Sequence, residues 1–402
     1  MGMGKNIVVG VSGGIAAYKA CDVVSKLKKQ GFEIDVIMTK NAQEFVSPLT
    51  FQTLSNQTVV TDMFETPSDW NVEHIELAKK ADVFVIVPAT ANIIGKIANG
   101  IADDMLTTTI MATEAKKVIV PAMNTKMYHN PFVQENILKL KKHGYYFIEP
   151  VSGLLACGDT GKGKMEDSTV IVEELCLIAN QTKEMAGCKV TVTAGATTED
   201  IDPVRYLTNR STGKMGYAIA EQAILKGATV VLISGKTNLK PPRGLSKFIE
   251  ARSAEEMYQE VKREFFDTDI LIKAAAVADF TPNVVAKNKI KKQDENLVID
   301  LKRTKDIAFE MGQLKKSNQV MVGFAAETES VLEHAVQKLK KKNLDFIVSN
   351  DLTKSGAGFG TDTNIVNFLF PDGEIEKYDL MQKKEVADRI LEKAHTILQN
   401  RK

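Results

Sequence analysis

Short runs rich in valine and isoleucine alternate along this chain with longer stretches in which apolar residues recur at helical spacing. This alternation is typical of α/β folds, in which buried parallel strands are joined by helices. In the first half it predicts strands at Asn6–Val11, Glu33–Met38, Val83–Val87, Lys117–Val120 and Tyr145–Ile148. Because successive positions of these runs are apolar, we expect helices on both faces of the sheet.

The same pattern starts again near residue 188, where a strand-like run beginning at Lys189 leads into small residues as the opening strand does. Further strands are predicted at Thr229–Ile233, Ile270–Ala274, Val320–Val322, Phe346–Val348 and Ile365–Phe370. A chain of 402 residues exceeds one ordinary domain. We therefore predict two Rossmann-like parallel-sheet α/β domains, 1–180 and 188–402, joined by a polar linker at 181–187.

Composition excludes several classes of protein. A formal net charge of +1 gives no general bias toward nucleic acid or a membrane surface. The longest apolar runs have the length of strands and are too short to cross a membrane, and the N-terminus has no signal-peptide core. The four cysteines form no Cys-x-x-Cys pair that would indicate a zinc site. We expect a cytoplasmic protein without nucleic-acid or membrane partners.

The segment between the first strand and the first helix carries small residues at Ser12, Gly13 and Gly14. Such a loop lets backbone N–H groups approach an anion at a helix N-terminus, although a tight turn without a ligand has the same pattern. The spacing is not Gly-x-Gly-x-x-Gly, and the second strand ends at Met38-Thr39-Lys40 without a carboxylate for a ribose. NAD is therefore disfavoured, whereas a mononucleotide such as FMN is compatible.

A second small-residue loop, Pro88–Asn92, follows the third long strand of the first half. Loops at the carboxyl ends of parallel strands converge on one crevice, so this loop and the first are expected to be neighbours. Farther on, Asp103 and Asp104 could form a metal pair. Adjacent side chains on a helix diverge, however, so helix capping or solvation is the alternative.

Three motifs of the first half, Ser12–Lys19, Pro88–Asn92 and Pro121–Tyr128, together resemble the flavin-dependent cysteine decarboxylase family, which has a flavodoxin-like fold. The family's histidine is matched by His74, and Tyr128 stands where many members have tryptophan. The resemblance implies an FMN site formed by Ser12, Gly13, Gly14, Ile15, Thr39, Pro88, Ala89, Thr90 and Ala91.

The glycine-rich segment Gly153–Met165 encloses Cys157. A lone cysteine is usually a packing residue, but its place inside a segment that reads as a mobile flap favours a functional role. The resemblance implies that His74 is the acid–base group while FMN oxidises the substrate thiol. It also implies that Asn124 holds the substrate carboxylate and that Cys157 protonates the resulting enethiol.

The second half contains a long polar passage, Thr193–Gly216, between a strand and the helix predicted at Met215–Lys226. A structureless loop of this length in a compact domain is usually functional. Arg205 and Arg210 could bind phosphate oxygens through their forked guanidinium groups. A solvated loop with surface charges is the alternative.

This passage, with Asn209–Gly216, resembles the phosphopantothenate–cysteine ligase family, as do Ala274–Phe280, Lys289–Lys292 and Gly323–Thr328. Lys305 departs from the family pattern, which commonly has proline there. The resemblance implies a CTP-dependent reaction with Mg²⁺ bound near Asp279. The implied nucleotide-binding residues are Ala274, Ala275, Asp279, Lys289, Phe324, Ala325, Ala326, Glu327, Lys338 and Lys342.

The ligase resemblance assigns two further catalytic roles. Lys289 would stabilise charge on the transferring α-phosphate, as fixed cations do in such displacements. Asn209 would act on the acyl-cytidylate and its conversion to the amide by cysteine. The chemistry requires such activation, because a free carboxylate has no leaving group for an amine to displace.

Together the two resemblances imply a bifunctional carboxy-lyase and C–N ligase of coenzyme A biosynthesis. It would join 4′-phosphopantothenate to cysteine with CTP and then decarboxylate the product to 4′-phosphopantetheine. A decarboxylase of peptide C-terminal cysteines, a flavin-binding regulatory subunit and a Rossmann oxidoreductase are the alternatives. Family members with trimeric decarboxylase halves and dimeric ligase halves imply a homo-oligomer, a dodecamer.

Overall fold

The computed structural model describes residues 4–401 except 65–71, 292–296, 328–336, 338 and 352–359. The chain divides into two compact units, Met1–Asn180 and Gln181–Lys402. The segment predicted as a linker, 181–187, packs within the second unit, where Met185 is buried and Thr182 N donates to Leu225 O at 2.7 Å. None of the described helices is long and apolar enough to cross a membrane.

The first unit is built on one parallel sheet and a separate hairpin. The sheet strands are β1 Asn6–Val11, β2 Glu33–Met38, β3 Val59–Val60, β4 Val83–Ala89, β5 Lys116–Pro121 and β6 Tyr146–Phe147, and the hairpin strands are β7 Val151–Leu154 and β8 Thr160–Lys164. The helices are α1 Ala17–Lys29, α2 Lys40–Gln43, α3 Pro48–Ser55, α4 Glu73–Lys80, α5 Ala91–Ala98, α6 Met105–Ala112, α7 Thr125–Tyr128, α8 Pro131–Lys142 and α9 Ser168–Asn180.

The order of the sheet strands in this unit is β3-β2-β1-β4-β5-β6, and all of its pairings are parallel. Successive residues of a strand point to opposite faces. In β1, Ile7 and Val9 accordingly join one buried apolar cluster and Val8 joins the other. The prediction of a parallel sheet with a core on each face is confirmed.

The second unit has an eight-stranded sheet in the order β13-β12-β9-β14-β17-β18-β19-β20. Its strands are β9 Lys189–Ala194, β12 Thr229–Ser234, β13 Lys247–Glu250, β14 Ile270–Lys273, β17 Val320–Glu327, β18 Phe346–Asp351, β19 Thr363–Leu369 and β20 Ile375–Gln382. Two small hairpins, β10 Thr198–Asp200 with β11 Tyr206–Thr208 and β15 Phe280–Pro282 with β16 Leu301–Arg303, lie outside it. The helices are α10 Lys214–Leu225, α11 Ala254–Phe265, α12 Ile307–Leu314 and α13 Lys383–Gln399.

The strands at the sheet edges and one loop of this unit differ from the sequence prediction. Strands β19 and β20 are antiparallel to their neighbours, and β20 was not predicted because its exposed edge position lets polar residues alternate with apolar ones. The interpretation of residues 193–216 as structureless is wrong, because they contain the β10–β11 hairpin. The parallel core from β12 to β18 agrees with the prediction, whereas the edge strand β13 was not predicted.

Candidate active sites

The carboxyl ends of β1, β2 and β4 bring the predicted flavin loops together. Ser12 connects two of them, since its hydroxyl donates to Pro88 O at 2.8 Å and accepts from Thr90 N at 3.1 Å. Thr39 N, at the end of β2, donates to Val11 O at 3.0 Å. Three adjacent strand ends therefore form one edge, the position where open α/β sheets bind ligands.

The turn before α1 has the features of an anion cradle. In the part of the chain that the structure describes, no protein acceptor takes the backbone N–H groups of Gly13, Gly14 or Ile15. A Cβ at Gly13 would lie 2.4 Å from Asn41 Cβ, so only glycine lets the two loops pack. The Ile15 side chain is exposed and offers apolar surface beside the turn. These residues fit a flavin that carries a phosphate.

Other predicted cofactor residues support the loops through their own contacts. Thr39 accepts a hydrogen bond from Ala42 N and thereby caps α2, and Thr90 accepts one from Ile93 N and caps α5. Ala89 is fully buried, so any ligand contact that it makes would come from its backbone. Ala91, the first residue of α5, is half-buried.

Asn124 and Cys157, which are far apart in sequence, meet at the tip of the β7–β8 hairpin. Asn124 Nδ2 lies 3.2 Å from Cys157 Sγ and donates to Asp159 Oδ2 at 2.8 Å. Cys157 Sγ is 3.5 Å from the same Asp159 oxygen. Asp159 was not singled out from the sequence, although its position two residues after the predicted functional cysteine was a usable signal.

The orientation of the Asn124 amide is fixed by its other end. Its Oδ1 accepts from Lys126 N at 2.8 Å and caps the short helix α7. An amide oxygen accepts and an amide nitrogen donates, so Nδ2 must face the hairpin tip. Hydrogen bonds lower the pKa of Asp159 below its usual value. The bond from Asn124 has the larger effect and that from Cys157 the smaller.

Glycines of the predicted flap let the hairpin pack against the Asn124 segment. Met123 N donates to Gly163 O at 3.0 Å, and a Cβ at Gly163 would lie 2.4 Å from Met123 O. A Cβ at Gly161 would lie 2.7 Å from the Thr125 side chain. The segment was predicted to be a flap outside the core, and it forms a two-stranded sheet of its own.

Tyr128, the departure from the family pattern, belongs to a charged network under the hairpin. Its hydroxyl donates to Glu149 Oε2 at 2.6 Å, and Lys162 Nζ from β8 lies 3.2 Å from that oxygen. Burial alone would raise the pKa of Glu149, but hydrogen bonds from Lys141, Tyr128 and Lys162 lower it to about 2. The phenol therefore makes a contact with a carboxylate that joins α7 to the hairpin.

His74 is not part of the hydrogen-bonded contacts described for these groups. It is half-buried in the first turn of α4, and no contact within the described residues joins it to Asn124 or Cys157. The two aspartates considered as a metal pair have other roles: Asp103 binds Lys96 at 2.7 Å, and Asp104 caps α6. The alternative interpretation of these two residues, capping and solvation, agrees with the structure.

In the second unit, the loop after β14 is hydrogen-bonded to the loop after β9. Ala276 N donates to Gly195 O at 2.9 Å, and Ala275 N donates to Thr193 Oγ1 at 3.2 Å. Asn209 Nδ2 donates to Ala276 O at 3.1 Å. The structure thus brings Asn209 to the loop that contains the predicted nucleotide residues Ala274 and Ala275.

Arg205 does not present a free fork to phosphate, and the expectation that it could do so is corrected. Its Nε and Nη2 donate to Asp202 Oδ2 at 3.0 and 2.6 Å, and Nη2 also donates to Ile290 O at 2.9 Å. Asp202 is buried and accepts from Ile290 N at 3.2 Å. The Asp202–Arg205 pair therefore binds both the N–H and the C=O of Ile290, the residue next to Lys289.

Lys273 was missed by sequence reasoning. It ends β14, the strand beside β9 at the centre of the sheet. Burial is the main cause that lowers the pKa of Lys273 to about 8, and the charges of Asp306, Lys342 and Asp279 act on it. A lysine that closes an otherwise apolar strand was the available signal.

The remaining predicted ligase residues lie on several different elements of the second unit. Asp279 and Lys289 are exposed, and Phe324 and Ala325 are half-buried near the end of β17, which Ala326 and Glu327 complete. Lys342 pairs with Asp306 at 2.8 Å. Lys338 lies outside the described residues. Within those residues, no group of three or more metal-binding side chains is found.

Lys305, the other departure from the family pattern, makes two contacts of its own. It pairs with Glu255 at 2.9 Å and lies over the Tyr258 ring at 4.5 Å. The next residue, Asp306, caps α12 by accepting from two backbone N–H groups. The helix therefore has a capped start without a preceding proline.

Comparison with known proteins covers nearly the whole chain. Residues 1–180 match the flavoprotein family, and residues 185–398 match the family described as DNA/pantothenate metabolism flavoprotein C-terminal domain. The chain is 51% identical over 390 residues to the coenzyme A biosynthesis bifunctional protein CoaBC of Bacillus subtilis (strain 168), covering 96% of both chains. The chain belongs to the family of bifunctional coenzyme A biosynthesis proteins.

Other proteins similar to this bifunctional family member are known. A cysteine/cysteine sulfinic acid decarboxylase from an unknown prokaryotic organism is 43% identical over 359 residues, which cover 88% of this chain and 99% of that one. A crystal structure of the C-terminal domain of a coenzyme A biosynthesis bifunctional protein is 41% identical and covers 55% of this chain and 100% of that chain, with a TM-score of 0.47.

Proposed function

We propose that this bifunctional coenzyme A biosynthesis enzyme uses CTP and Mg²⁺ to join cysteine to 4′-phosphopantothenate, and FMN to decarboxylate the product. Family membership supports a decarboxylase and a ligase in one chain. The single structural observation that carries the proposal is the 3.2 Å approach of Asn124 Nδ2 to Cys157 Sγ. This distance supports the proposal, because decarboxylation followed by protonation requires a group that can bind a carboxylate beside a group that can donate a proton.

In the decarboxylase half, Ser12 to Ile15 and Pro88 to Ala91 would hold FMN at the strand ends, together with Thr39. When bound, FMN would supply the reversible oxidation of the substrate thiol to a thioaldehyde, whose C=S group accepts the electrons that are released when CO₂ leaves. His74 takes the proton of the substrate thiol. Asn124 Nδ2 orients the substrate carboxylate, and Cys157 donates the proton that the enethiol receives after CO₂ has left.

In the ligase half, Lys289 stabilises the charge that develops on the α-phosphate as the carboxylate of phosphopantothenate displaces pyrophosphate. Asp279 would help to hold the nucleotide together with Mg²⁺, which would be bound mainly by phosphate oxygens and water. Phe324 and Ala325 border the cytidine together with Ala326 and Glu327, while Lys338 and Lys342 add positive charge. Asn209 holds the acyl-cytidylate for attack by the cysteine amine.

The test is product analysis by mass spectrometry with the purified full-length chain, FMN and Mg²⁺. Phosphopantothenate, cysteine and CTP together should give 4′-phosphopantetheine, CO₂, CMP and pyrophosphate. Free cysteine and cysteine sulfinic acid are the control substrates, because a similar protein is named for them. Decarboxylation of those amino acids with none of phosphopantothenoylcysteine would contradict the proposal.

The proposal also includes a cytoplasmic homo-oligomer, a dodecamer of decarboxylase trimers joined by ligase dimers. The family resemblance supports this assembly, as does the conjunction of two separate compact units in one chain. Light scattering on the purified protein gives the mass directly. A monomer that is fully active in both reactions would overturn this part of the proposal.

A further inference from the structure

The tip of the β7–β8 hairpin contains a carboxylate for which the proposed reaction has no assigned use. Asp159 Oδ2 accepts from Asn124 Nδ2 at 2.8 Å and lies 3.5 Å from Cys157 Sγ. Both of its partners are residues to which the proposed decarboxylation gives a direct role. Its neighbours on the chain, Leu155 and Gly158, hold the tip through backbone hydrogen bonds.

We propose that Asp159 is a positioning residue that holds Cys157 against Asn124 and yields the Asn124 amide to the carboxylate of the substrate. This inference rests on the proposed function. In this proposal Asn124 Nδ2 donates to Asp159 in the free enzyme and to the substrate carboxylate when substrate is bound. Cys157 would then approach the reacting carbon only as the substrate carboxylate leaves.

Asp159 and the substrate carboxylate compete for Asn124 Nδ2 because the amide has few hydrogen-bonding groups. Asn124 Oδ1 is already used by Lys126 N, so only Nδ2 can bind a carboxylate. Its two N–H groups are directed at Asp159 and Cys157. A substrate carboxylate on Nδ2 must displace one of them, and two carboxylates within a few ångströms repel each other. Asp159 is therefore the group that is displaced.

The second contact of Asp159, with Cys157, concerns the proton that the enethiol receives. A carboxylate is an acceptor and a thiol is a weak donor, so Asp159 accepts a hydrogen bond from the S–H of Cys157 and orients that group. When the substrate has lost CO₂, the S–H bond breaks as a C–H bond forms on the enethiol. The thiolate that remains beside a carboxylate takes its next proton from solvent, which the exposed Cys157 contacts.

Asp159→Asn tests this inference with a side chain of the same shape and no charge. The variant should bind substrate more readily, so that KM falls about fivefold, because a neutral oxygen competes less well for the amide. At the same time kcat should fall about tenfold or more, and the enethiol should accumulate, which is also the result expected for Cys157→Ser. A merely structural defect would raise KM and release no enethiol.

Asp167→Asn is the matched control, because Asp167 is another exposed carboxylate of the first unit that accepts from the backbone N–H of Thr169, where asparagine serves equally well. A second readout does not depend on turnover. Alkylation of Cys157 by iodoacetamide, followed by peptide mass spectrometry, should be several-fold faster in Asp159→Asn, because the exposed Sγ is no longer held by a carboxylate and meets the reagent more freely.

The outcomes separate the two proposals. If wild type and Asp167→Asn do not decarboxylate phosphopantothenoylcysteine, the proposed function fails. If both are active and Asp159→Asn has the same KM, kcat and alkylation rate as the control, the role of Asp159 alone is overturned. Asp159→Glu keeps the charge at a longer reach and should recover part of kcat, and failure of that rescue together with an unchanged alkylation rate also counts against it.

Discussion

Two aspartates, one in each unit, lie beside residues with proposed catalytic roles, and they differ in burial and in the number of hydrogen bonds that they accept. Asp202 is buried and accepts five hydrogen bonds, from Val204, Arg205 and Ile290. Asp159 is exposed at a hairpin tip and contacts Asn124 and Cys157. A carboxylate with many buried contacts fixes a backbone permanently, whereas one with two exposed contacts can be exchanged for a ligand. The comparison therefore separates a structural support from a replaceable contact.

The largest effect that bears on this comparison should come from Lys289, the residue that Asp202 supports. Lys289→Gln removes the fixed cation and should reduce pyrophosphate release that depends on phosphopantothenate by about 10²–10³-fold. Lys287→Gln is the control, because this exposed lysine lies two residues away. Similar losses in the two variants would contradict the specific role of Lys289, and decarboxylation of preformed phosphopantothenoylcysteine should be normal in both.

Asp202→Asn should give a smaller loss of the same kind. With the charge gone, Arg205 has no carboxylate to bind and the Ile290 backbone is no longer held, so Lys289 is misplaced and ligation should fall about tenfold to a hundredfold. The midpoint of thermal unfolding should fall by several degrees as well. Asp200→Asn is the control, because its exposed carboxylate binds only the surface Arg252 at 2.9 Å in the described structure. Ligation by Asp202→Asn at the rate of this control would show that Asp202 is not a structural support for Lys289.

Gly163→Ala tests whether decarboxylation requires the hairpin to lie close to Asn124, as the contact between Asn124 and Asp159 does. The added Cβ would lie 2.4 Å from Met123 O, so the hairpin must move and decarboxylation should fall about tenfold. Gly144→Ala shares the positive φ but meets open space outside the hairpin, which separates steric contact from backbone strain. Ligation assayed in the same samples should be unchanged. Equal decarboxylation by the two variants would show that close docking is not required.

The sequence predicted the strands well because their apolar runs are local, and it predicted Asn124 and Cys157 as functional through family motifs. It did not predict Asp159 as their partner, because the contact spans 35 residues and depends on how the hairpin folds back. Arg205 shows the opposite failure. From the sequence alone its guanidinium could bind phosphate. In the structure its donors bind the carboxylate of Asp202, three residues earlier, and the backbone carbonyl of Ile290. Contacts between distant segments decide such assignments.

The smallest expected effect concerns the charged network under the hairpin. The pKa of Glu149 is lowered to about 2, so its ionised form stabilises the fold. This stabilisation is complete above the ordinary glutamate pKa of about 4.3 and is lost as pH falls from there toward 2. Because Glu149 is 42% exposed, solvent screening limits the contribution to about 1 kcal/mol.

Glu149→Gln should therefore lower the free energy of unfolding at pH 7 by about 1 kcal/mol and remove that part of the acid dependence below pH 4.3. Urea unfolding of the full chain at a series of pH values, followed by a signal from the first unit, measures both quantities. Glu135→Gln, an exposed position on α8, should leave the pH profile as it is in wild type. If Glu149→Gln also leaves it unchanged, the ion pairs of Glu149 with Lys141 and Lys162 contribute nothing to stability. The hairpin would then be held by its backbone contact with Met123 and by the close approach of its glycines.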